Sequence, residues 1–501
     1  MIKWRRSRIG ACGLAFLLGV AGCDDGSTSS SSSSDATSSG SGSASSSGSG
    51  GATSAASTTS STDTTGAGGA PAEFLAVFES GSSDLVAGDT NGATDVFVYS
   101  TKDGRALVSH IPGSPSTVAT GVSSSPSLSR NGRYLVFRSY APELQSAIVD
   151  DNGASDIFRL DRETGVVTLV TIDASGVAPG NGDSDSPSVS DDGRYVAFIS
   201  RATNLQSDIP DTNDATDVFV RDMSTGKTML VSVNASGTAA ANLGATAYGR
   251  ELTPDGRYVV FGTRSSDVAS VPDTNGTDDV FVRDLQTKTT TLVSADANGA
   301  ATSDGSSVMG GQSISDDGRF VVFSSQGTNL QTALADDDGT WDVYLRDLVS
   351  GVSTVVSVDQ AGTAVAGSSA ELFCSISSDG HFVVFASPAT TLQSAISDSN
   401  EMDDVFRRDL AAKKTILVSV NATGDAAAHG QAYDPFISAD GSRVGFQSDA
   451  TDLVPSYVSN NGGDLSSYLV DLSGGPTLLL SGTSASASGN GSAYLSGLSG
   501  P

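Results

Sequence analysis

S-P-S-V-S-D-D-G-R-Y-V-A-F-I-S (Ser186–Ser200), followed ten residues later by D-T-N-D-A-T-D-V-F-V-R-D (Asp211–Asp222), is the stretch that decides the reading of this chain. With drift it occurs six times in full, and fragments of a seventh copy sit at the two ends. Its Asp-Gly or Asn-Gly turns place glycines at Gly132, Gly193, Gly256, Gly318, Gly380 and Gly441, a period of 61 to 63 residues. A fixed period of this size means one supersecondary unit stacked on copies of itself. Within the unit, SPSVS alternates apolar and polar residues as a half-buried strand does. DDG supplies a tight turn, because Asp and Gly tolerate positive φ. RYVAFIS and DVFVRD follow, rich in Val, Phe and Tyr, and a run such as Thr228–Val233 (TMLVSV) ends the unit.

That makes four strands per repeat, and no ten-residue stretch reads as an amphipathic helix. Two of the strands are apolar on both faces, as expected of a sheet packed between neighbours. Four-stranded sheets repeated around a ring make a β-propeller. The first copy begins at Phe74 with FLAVFES and lacks the strand before the turn. The last segment, Ala493–Ser499 (AYLSGLS), reads like Pro126–Ser129 (PSLS), the missing strand. The expected fold is therefore all-β: a closed seven-bladed β-propeller of four-stranded blades, with the C-terminal strand completing the N-terminal blade. A closed ring leaves no open sheet edge, and a monomer is expected.

S-P-S-V-S-D-D-G-R-Y-V-A-F, with D-V-F-V-R-D-L at Asp279–Leu285, resembles the TolB-like, WD-type propeller repeat, whose core reads S-P-D-G-x-x-[IL]-A-F. The resemblance covers about residues 74–499. TolB itself has six blades and a preceding α/β domain, whereas this chain shows longer repeats and no such domain. The resemblance implies the fold, and with those departures it does not carry a role in a Tol-type envelope complex.

Upstream, Lys3, Arg5, Arg6 and Arg8 precede an apolar run from Leu14 to Val20, the charged and apolar regions of a signal peptide over residues 1–22. The run is too short to span a membrane. Val20-Ala21-Gly22-Cys23 resembles the bacterial lipobox, which implies lipidation of Cys23; the plainer alternative is an ordinary signal peptide cleaved nearby. Asp24 and Asp25 follow, resembling an inner-membrane retention mark of enteric bacteria, a rule that does not transfer between phyla. The expected location is the bacterial envelope, lipid-anchored in the outer membrane on its periplasmic side or at the cell surface. From Gly26 to Ala70 the chain is almost wholly Ser, Gly, Thr and Ala, with nothing to bury. Residues 23–70 therefore read as a lipidated cysteine and a disordered tether with a reach of about 35–40 Å, and residues 71–501 as the propeller.

Of 84 charged residues, 57 are acidic and 27 basic, for a formal charge of −30. Without the leader's four basic residues, 23 basic side chains face the 57 acids and the charge becomes −34. Nucleic acid is excluded as a partner, because no basic patch exists to release counterions. Solubility, cation binding and basic protein partners fit that charge. Cys12 leaves with the leader and Cys23 takes the lipid, so Cys374 has no disulfide partner. It reads as a small buried residue of a lead strand.

In a WD-type blade the first-to-second and third-to-fourth turns share one face. Both are short here (DDG at 191–193 and about MSTGK at 223–227). The other two connections are long, with Arg201–Thr216 and Asn234–Arg250 in the third blade. Function on repeat proteins tends to sit where loops are long. The second-to-third-strand loop carries the sharpest pattern, D-T-N-G-A-T-D at 89–95 and its copies. Candidate ligands for Ca²⁺ are Asp89, Asn91 and Asp95; Asp150, Asn152 and Asp156; Asp211, Asn213 and Asp217; Asp273, Asn275 and Asp279; Asp336, Asp338 and Asp342; and Asp398, Asn400 and Asp404. The seventh copy, Val458–Asp464, lacks the leading acid. Oxygens at positions 1, 3 and 7 around a glycine turn suit a hard cation, and exposed loops with two acids imply weak sites, with Kd about 10⁻⁴–10⁻³ M. The alternative is that the Asx side chains bond their own backbone and the last Asp caps the strand after it. The recurring Arg-Asp pairs, such as Arg221-Asp222, read either as inter-blade salt bridges or as solvated charges.

No GxSxG elbow and no HExxH motif is present, and His110, His381 and His429 fall on different faces or radii. Carboxylates are plentiful enough for a lyase or glycosidase pair, yet they repeat in every blade, whereas a catalytic pair should be the copy that differs. The expected function is a non-catalytic, lipid-tethered envelope propeller, stiffened by Ca²⁺, that binds a protein or glycan through its long-loop acidic face. The alternatives are a polysaccharide lyase or hydrolase of propeller type and a purely structural envelope protein.

Overall fold

The structure, a computed structural model, describes residues 73–500 apart from 115–116, 146, 248, 337–338 and 367–371. The leader, Cys23 and the tether lie outside the described residues. Seven four-stranded antiparallel sheets form the ring. In the third blade the strands run, from the axis outward, Ser184–Val189, Tyr195–Ser200, Asp217–Asp222 and Lys227–Leu230. The first blade is split as expected. Its innermost strand is Ala493–Ser499, paired antiparallel with Leu75–Ser80, so that Leu75 faces Ser499 and Ser80 faces Ala493.

The same packing recurs from blade to blade. Phe198 of the second strand stacks on Phe219 of the third at 5.9 Å between ring centres, and each of the other blades carries an equivalent pair. Such aromatic pairs add about 0.5–1.5 kcal/mol to their burial. Neighbouring blades meet through the turn glycine. Gly256 sits at φ +73, and a Cβ there would stand 2.3 Å from the Tyr195 ring of the preceding blade. Only glycine meets both demands, and Gly318 on Tyr258, Gly380 on Phe320 and Gly441 on Phe382 repeat the contact.

The Arg-Asp pairs serve two other bonds. Asp222 is held by Arg194 from the turn of its own blade, with bonds of 3.1 and 2.8 Å. Arg221 is buried and donates to Thr228 on the outer strand at 3.1 Å and to Ile172 O of the preceding blade's outgoing loop at 3.3 Å. The partner of the aspartate is thus an arginine 28 residues upstream, in the turn just before the adjacent strand.

The lead strands depart from simple alternation. In the second, third and seventh blades they are bulged, with Ser125, Ser186 and Asp434 at φ +50, +50 and +49. Each precedes a proline (Pro126, Pro187, Pro435) that cannot donate to the ladder. In the fourth and fifth blades the lead strand is broken into Ala245–Thr246 with Gly249–Arg250, and Ser307–Val308 with Gly311–Gln312. The loop expected over 234–250 therefore ends sooner, at Gly244.

Candidate functional site

Both long connections of every blade open on one face, and they clasp each other around the ring. The loop leaving the second blade meets the third blade's second-to-third-strand loop, where Asn181 N donates to Asn204 Oδ1 at 3.0 Å. Asn242 and Asp267, Asp304 and Asn329, and His429 and Asp452 repeat that contact, and Asn490 with Asp84 closes it across the split blade. The opposite face carries the short turns and both ends of the propeller, since Gly500 N donates to Arg130 O beside the second blade's turn.

The acidic loops resolve into three kinds of residue. Asp95, Asp156, Asp217, Asp279, Asp342 and Asp404 open the third strand and are buried. Through Oδ1 each accepts a bond from the hydroxyl just beyond the fourth strand, on Ser109, Thr171, Ser232, Ser294, Ser357 and Ser419 respectively. That hydroxyl accepts in turn from the backbone of the third strand, as Ser232 Oγ does from Val218 N at 3.0 Å. The last acid of the motif thus staples the third strand to the fourth. Asn91, Asn152, Asn213, Asn275 and Asn400 shape the loop: Asn213 Oδ1 accepts from Ala215 N at 2.9 Å, and its Nδ2 donates to Ala241 O at 2.9 Å, with the others alike. These amides do what the Asx-turn reading expects. Asp338 lies outside the described residues.

The leading acids differ among themselves. Asp273 accepts from Asn275 N and Gly276 N, and Asp336 accepts from the Tyr344 hydroxyl. Asp150 takes a backbone bond from Asn152. Asp89 is 5% exposed, and both its carboxylate oxygens are buried without a hydrogen bond; Asp211 and Asp398 are instead approached by the backbone N–H of Asn213 and Asn400, as Asp150 is by that of Asn152. Burial pushes Asp95 and Asp217 up to about 6, and Asp156, Asp279 and Asp404 up to about 7, with the leading acid of each loop adding to the rise. Burial also raises Asp89, Asp150, Asp211 and Asp398. The expectation of weak affinity rests on exposed acids; the strand-opening acids and Asp89 are instead buried. No three His, Cys, Asp or Glu side chains converge among the described residues.

One sector of the ring breaks the repeat. After the second-strand aromatic residue, the first, second and seventh blades carry Glu79, Arg138 and Gln447, where the others carry Ile199, Gly262, Ser324 and Ala386. Each of the three reaches the next blade's lead strand near the long-loop end of the axis. Glu79 accepts from Ser125 N at 2.6 Å, Arg138 pairs with Asp185 at 2.8 Å, and Gln447 donates to Leu495 O at 3.3 Å. Burial pushes Glu79 up to about 7 against the Ser125 bond, with Asp185 adding to the rise and Arg138 opposing it. Asp434 is pushed up to about 6 by burial. Carboxyl groups poised near neutrality beside a guanidinium suit a polar ligand site. The signal in the sequence is one unlike residue per copy at a fixed repeat position.

The histidines are scattered as expected. His381 pairs with Asp379 in a short turn, and His429 with Asp452 in a long loop. Cys374 is fully buried in a lead strand, and burial pushes its thiol up to about 12, which suits packing and not nucleophilic chemistry.

No family model matches the sequence, and no curated protein matches it. Among solved structures the chain is similar to TolB from Acinetobacter baumannii, at 14% identity over 69% of this chain and 62% of that one, with a TM-score of 0.37. It is similar to the putative TolB from Agrobacterium tumefaciens, at 14% identity over 85% and 99%, with a TM-score of 0.35. It is also similar to an oligogalacturonate lyase in complex with manganese, at 11% identity over 71% and 80%, with a TM-score of 0.41. The chain spans less than two thirds of the Acinetobacter protein. The solved structures that this seven-bladed propeller resembles thus include TolB proteins and an enzyme.

Proposed function

We propose that the protein is a non-catalytic envelope propeller, tethered by a lipid on Cys23, that binds a protein or glycan partner through its long-loop face. The observation that carries this reading is the repeat-breaking cluster of Glu79, Arg138 and Asp185 at the axis. Residues kept for the ring alone would repeat with it, whereas these occur in single copies. The chain enters the propeller at the opposite, short-turn face. The test is affinity capture from envelope extracts with the full chain and with Arg138→Ala. The expected outcome is a partner held by the wild type and lost or weakened in the variant, with both proteins melting as one cooperative unit. Equal capture by both would move the site elsewhere.

The tether has its own test. Cys23→Ala should be released from membranes by mild washing, because a single acylated residue is the whole attachment. Unchanged retention would end the lipid reading. A second reading, a polysaccharide-active enzyme, draws on Glu79, whose carboxyl lies near neutrality beside Arg138. Cleavage of an acidic envelope polysaccharide that disappears in Glu79→Gln would favour it over the binding role.

A further inference from the structure

We propose that the loop of the first blade binds a hard divalent cation between Asp89 and Asp95, and that Asp211 and Asp217 repeat the site in the third blade. Asp89 is 5% exposed, and neither of its oxygens receives a hydrogen bond. Asp95 is fully buried; Ser109 occupies its Oδ1, and its Oδ2 has no hydrogen bond. Asn91 Nδ2 donates to Ala119 O at 2.8 Å and keeps one further N–H, which faces Asp95, so the amide between them leaves Asp89 unserved. Neither carboxylate joins an ion pair among the described residues. Three carboxylate oxygens thus lie in one buried loop without a hydrogen bond. The third blade keeps a looser version, in which Asp211 Oδ1 and Asp217 Oδ2 are buried without hydrogen bonds while Asp211 itself is half-buried and also takes a backbone bond from Asn213.

Two neighbouring buried carboxylates are strongly disfavoured while both stay charged, so a proton or a cation must neutralise them. A hard cation of Ca²⁺ size takes six to eight oxygens, and carboxylates supply its charge while carbonyls and water complete the shell. Two acids per site leave the rest of the shell to backbone carbonyls and water. The same loop joins the second and third strands and is pinned to the outgoing loop by the Asn91 bond. An ion there would fix the long-loop face on which the proposed partner docks, although the site stands independently of that partner.

The purified full chain, freed of metal with chelator, is titrated with CaCl₂ in a calorimeter and melted in CaCl₂ or in NaCl of equal ionic strength. The expected results are a heat of binding and a rise in Tm of several degrees beyond the NaCl control. Asp89→Asn should bind one equivalent fewer and, without metal, should melt above the metal-free wild type, because the repulsion is relieved. Asp211→Asn should do the same in the third blade. Equal shifts from the two salts with no heat of binding would overturn the proposal and leave each acid pair sharing a proton. An unchanged stoichiometry in both variants would overturn the assignment to these loops. Where a variant fails to fold, the wild-type titration still decides whether a cation binds, and the stoichiometry of the other variant decides where.

Discussion

The two faces of the ring treat charge and symmetry in opposite ways. On the short-turn face the second to fifth blades repeat the same solution: an arginine from the turn grips the aspartate that ends the third strand, and its guanidinium stacks on the adjacent ring, as Arg257 does with Asp284 and Tyr258. The turns are also linked around the axis, with Asp191 N donating to Pro254 O, Asp316 N to Ser378 O and Ser378 N to Ala439 O. On the long-loop face like charges are buried together, and the repeat is broken at Glu79, Arg138 and Gln447. One face is spent on holding the ring, and the other departs from what stability alone would select. Proteins tolerate such local conflict mainly where a ligand resolves it.

The strongest way to break this comparison is to open the ring itself. Deleting residues 493–501 removes the innermost strand of the first blade and exposes the edge of Leu75–Ser80 to pairing with other chains. The expected outcome is loss of cooperative monomeric melting and the appearance of oligomers in size-exclusion chromatography. A truncated monomer with the wild-type Tm would mean that the closure carries no stability.

Next in size is a pair of glycine substitutions, one per face. Gly256→Ala forces a Cβ to 2.3 Å from Tyr195 at φ +73 and should cost about 2–5 kcal/mol. Gly237, in the long loop leaving the third blade, has φ +67, but a Cβ added there would meet nothing within 4 Å, so Gly237→Ala should cost only about 1–2 kcal/mol. Urea denaturation of both proteins reads the difference. Equal losses would show that the short-turn face is not the tightly packed one.

A smaller effect belongs to Arg194→Ala. The Arg194 bonds hold the Asp222 carboxyl well below the usual carboxylate range, against its burial. A depressed acid contributes stability above its unfolded pKa and loses it as pH falls through the folded value. The variant should therefore be less stable than wild type at pH 7, with the gap closing in strong acid. The sixth blade is the internal control, since His381 stands where the second to fifth blades keep arginine, and it pairs with Asp379 of its own turn. If the gap does not change with pH, the pair contributes packing and not charge.

The ring and its split blade were legible because both rest on periodicity: the turn glycines count the blades, and AYLSGLS can be matched to a missing strand. The Asx reading of the loop amides was also legible, since Asn213 bonds within two residues of itself. What stayed hidden depends on partners 28 residues away, across strands whose register the pattern does not give. Arg194 with Asp222 and Asn213 with Ala241 are both of that kind. Burial of Asp89 was equally hidden, because a loop of Asp, Asn and Gly reads as solvated until the neighbouring loop folds over it. The bulges did leave a mark: Pro126, Pro187 and Pro435 within lead strands point to a ladder that cannot be regular. Glu79 escapes notice because FLAVFES reads as one apolar strand, and a single acid in it reads as the solvent side.

The smallest predicted effect tests whether Glu79 is under the strain attributed to the long-loop face. Its carboxyl is pushed up to about 7 from an ordinary value near 4.5. The folded protein therefore keeps a proton there at a pH where the unfolded chain has released it. Stability from this group is greatest below pH 4.5, falls as pH rises towards 7, and is level above that. Asp434 and the strand-opening Asp95, Asp156, Asp217, Asp279 and Asp404 titrate in the same window, so the total slope is not diagnostic; the difference between two proteins is. Gln at position 79 can still accept the Ser125 N–H but carries no proton to lose. Glu79→Gln should match wild type near pH 5 and exceed it in Tm at pH 8, where the wild type holds two negative groups, Glu79 and Asp185, near a single Arg138. A constant difference from pH 5 to 8 would mean that Glu79 titrates as an ordinary solvated acid, and the axis of the long-loop face would then be no more strained than the short-turn face opposite.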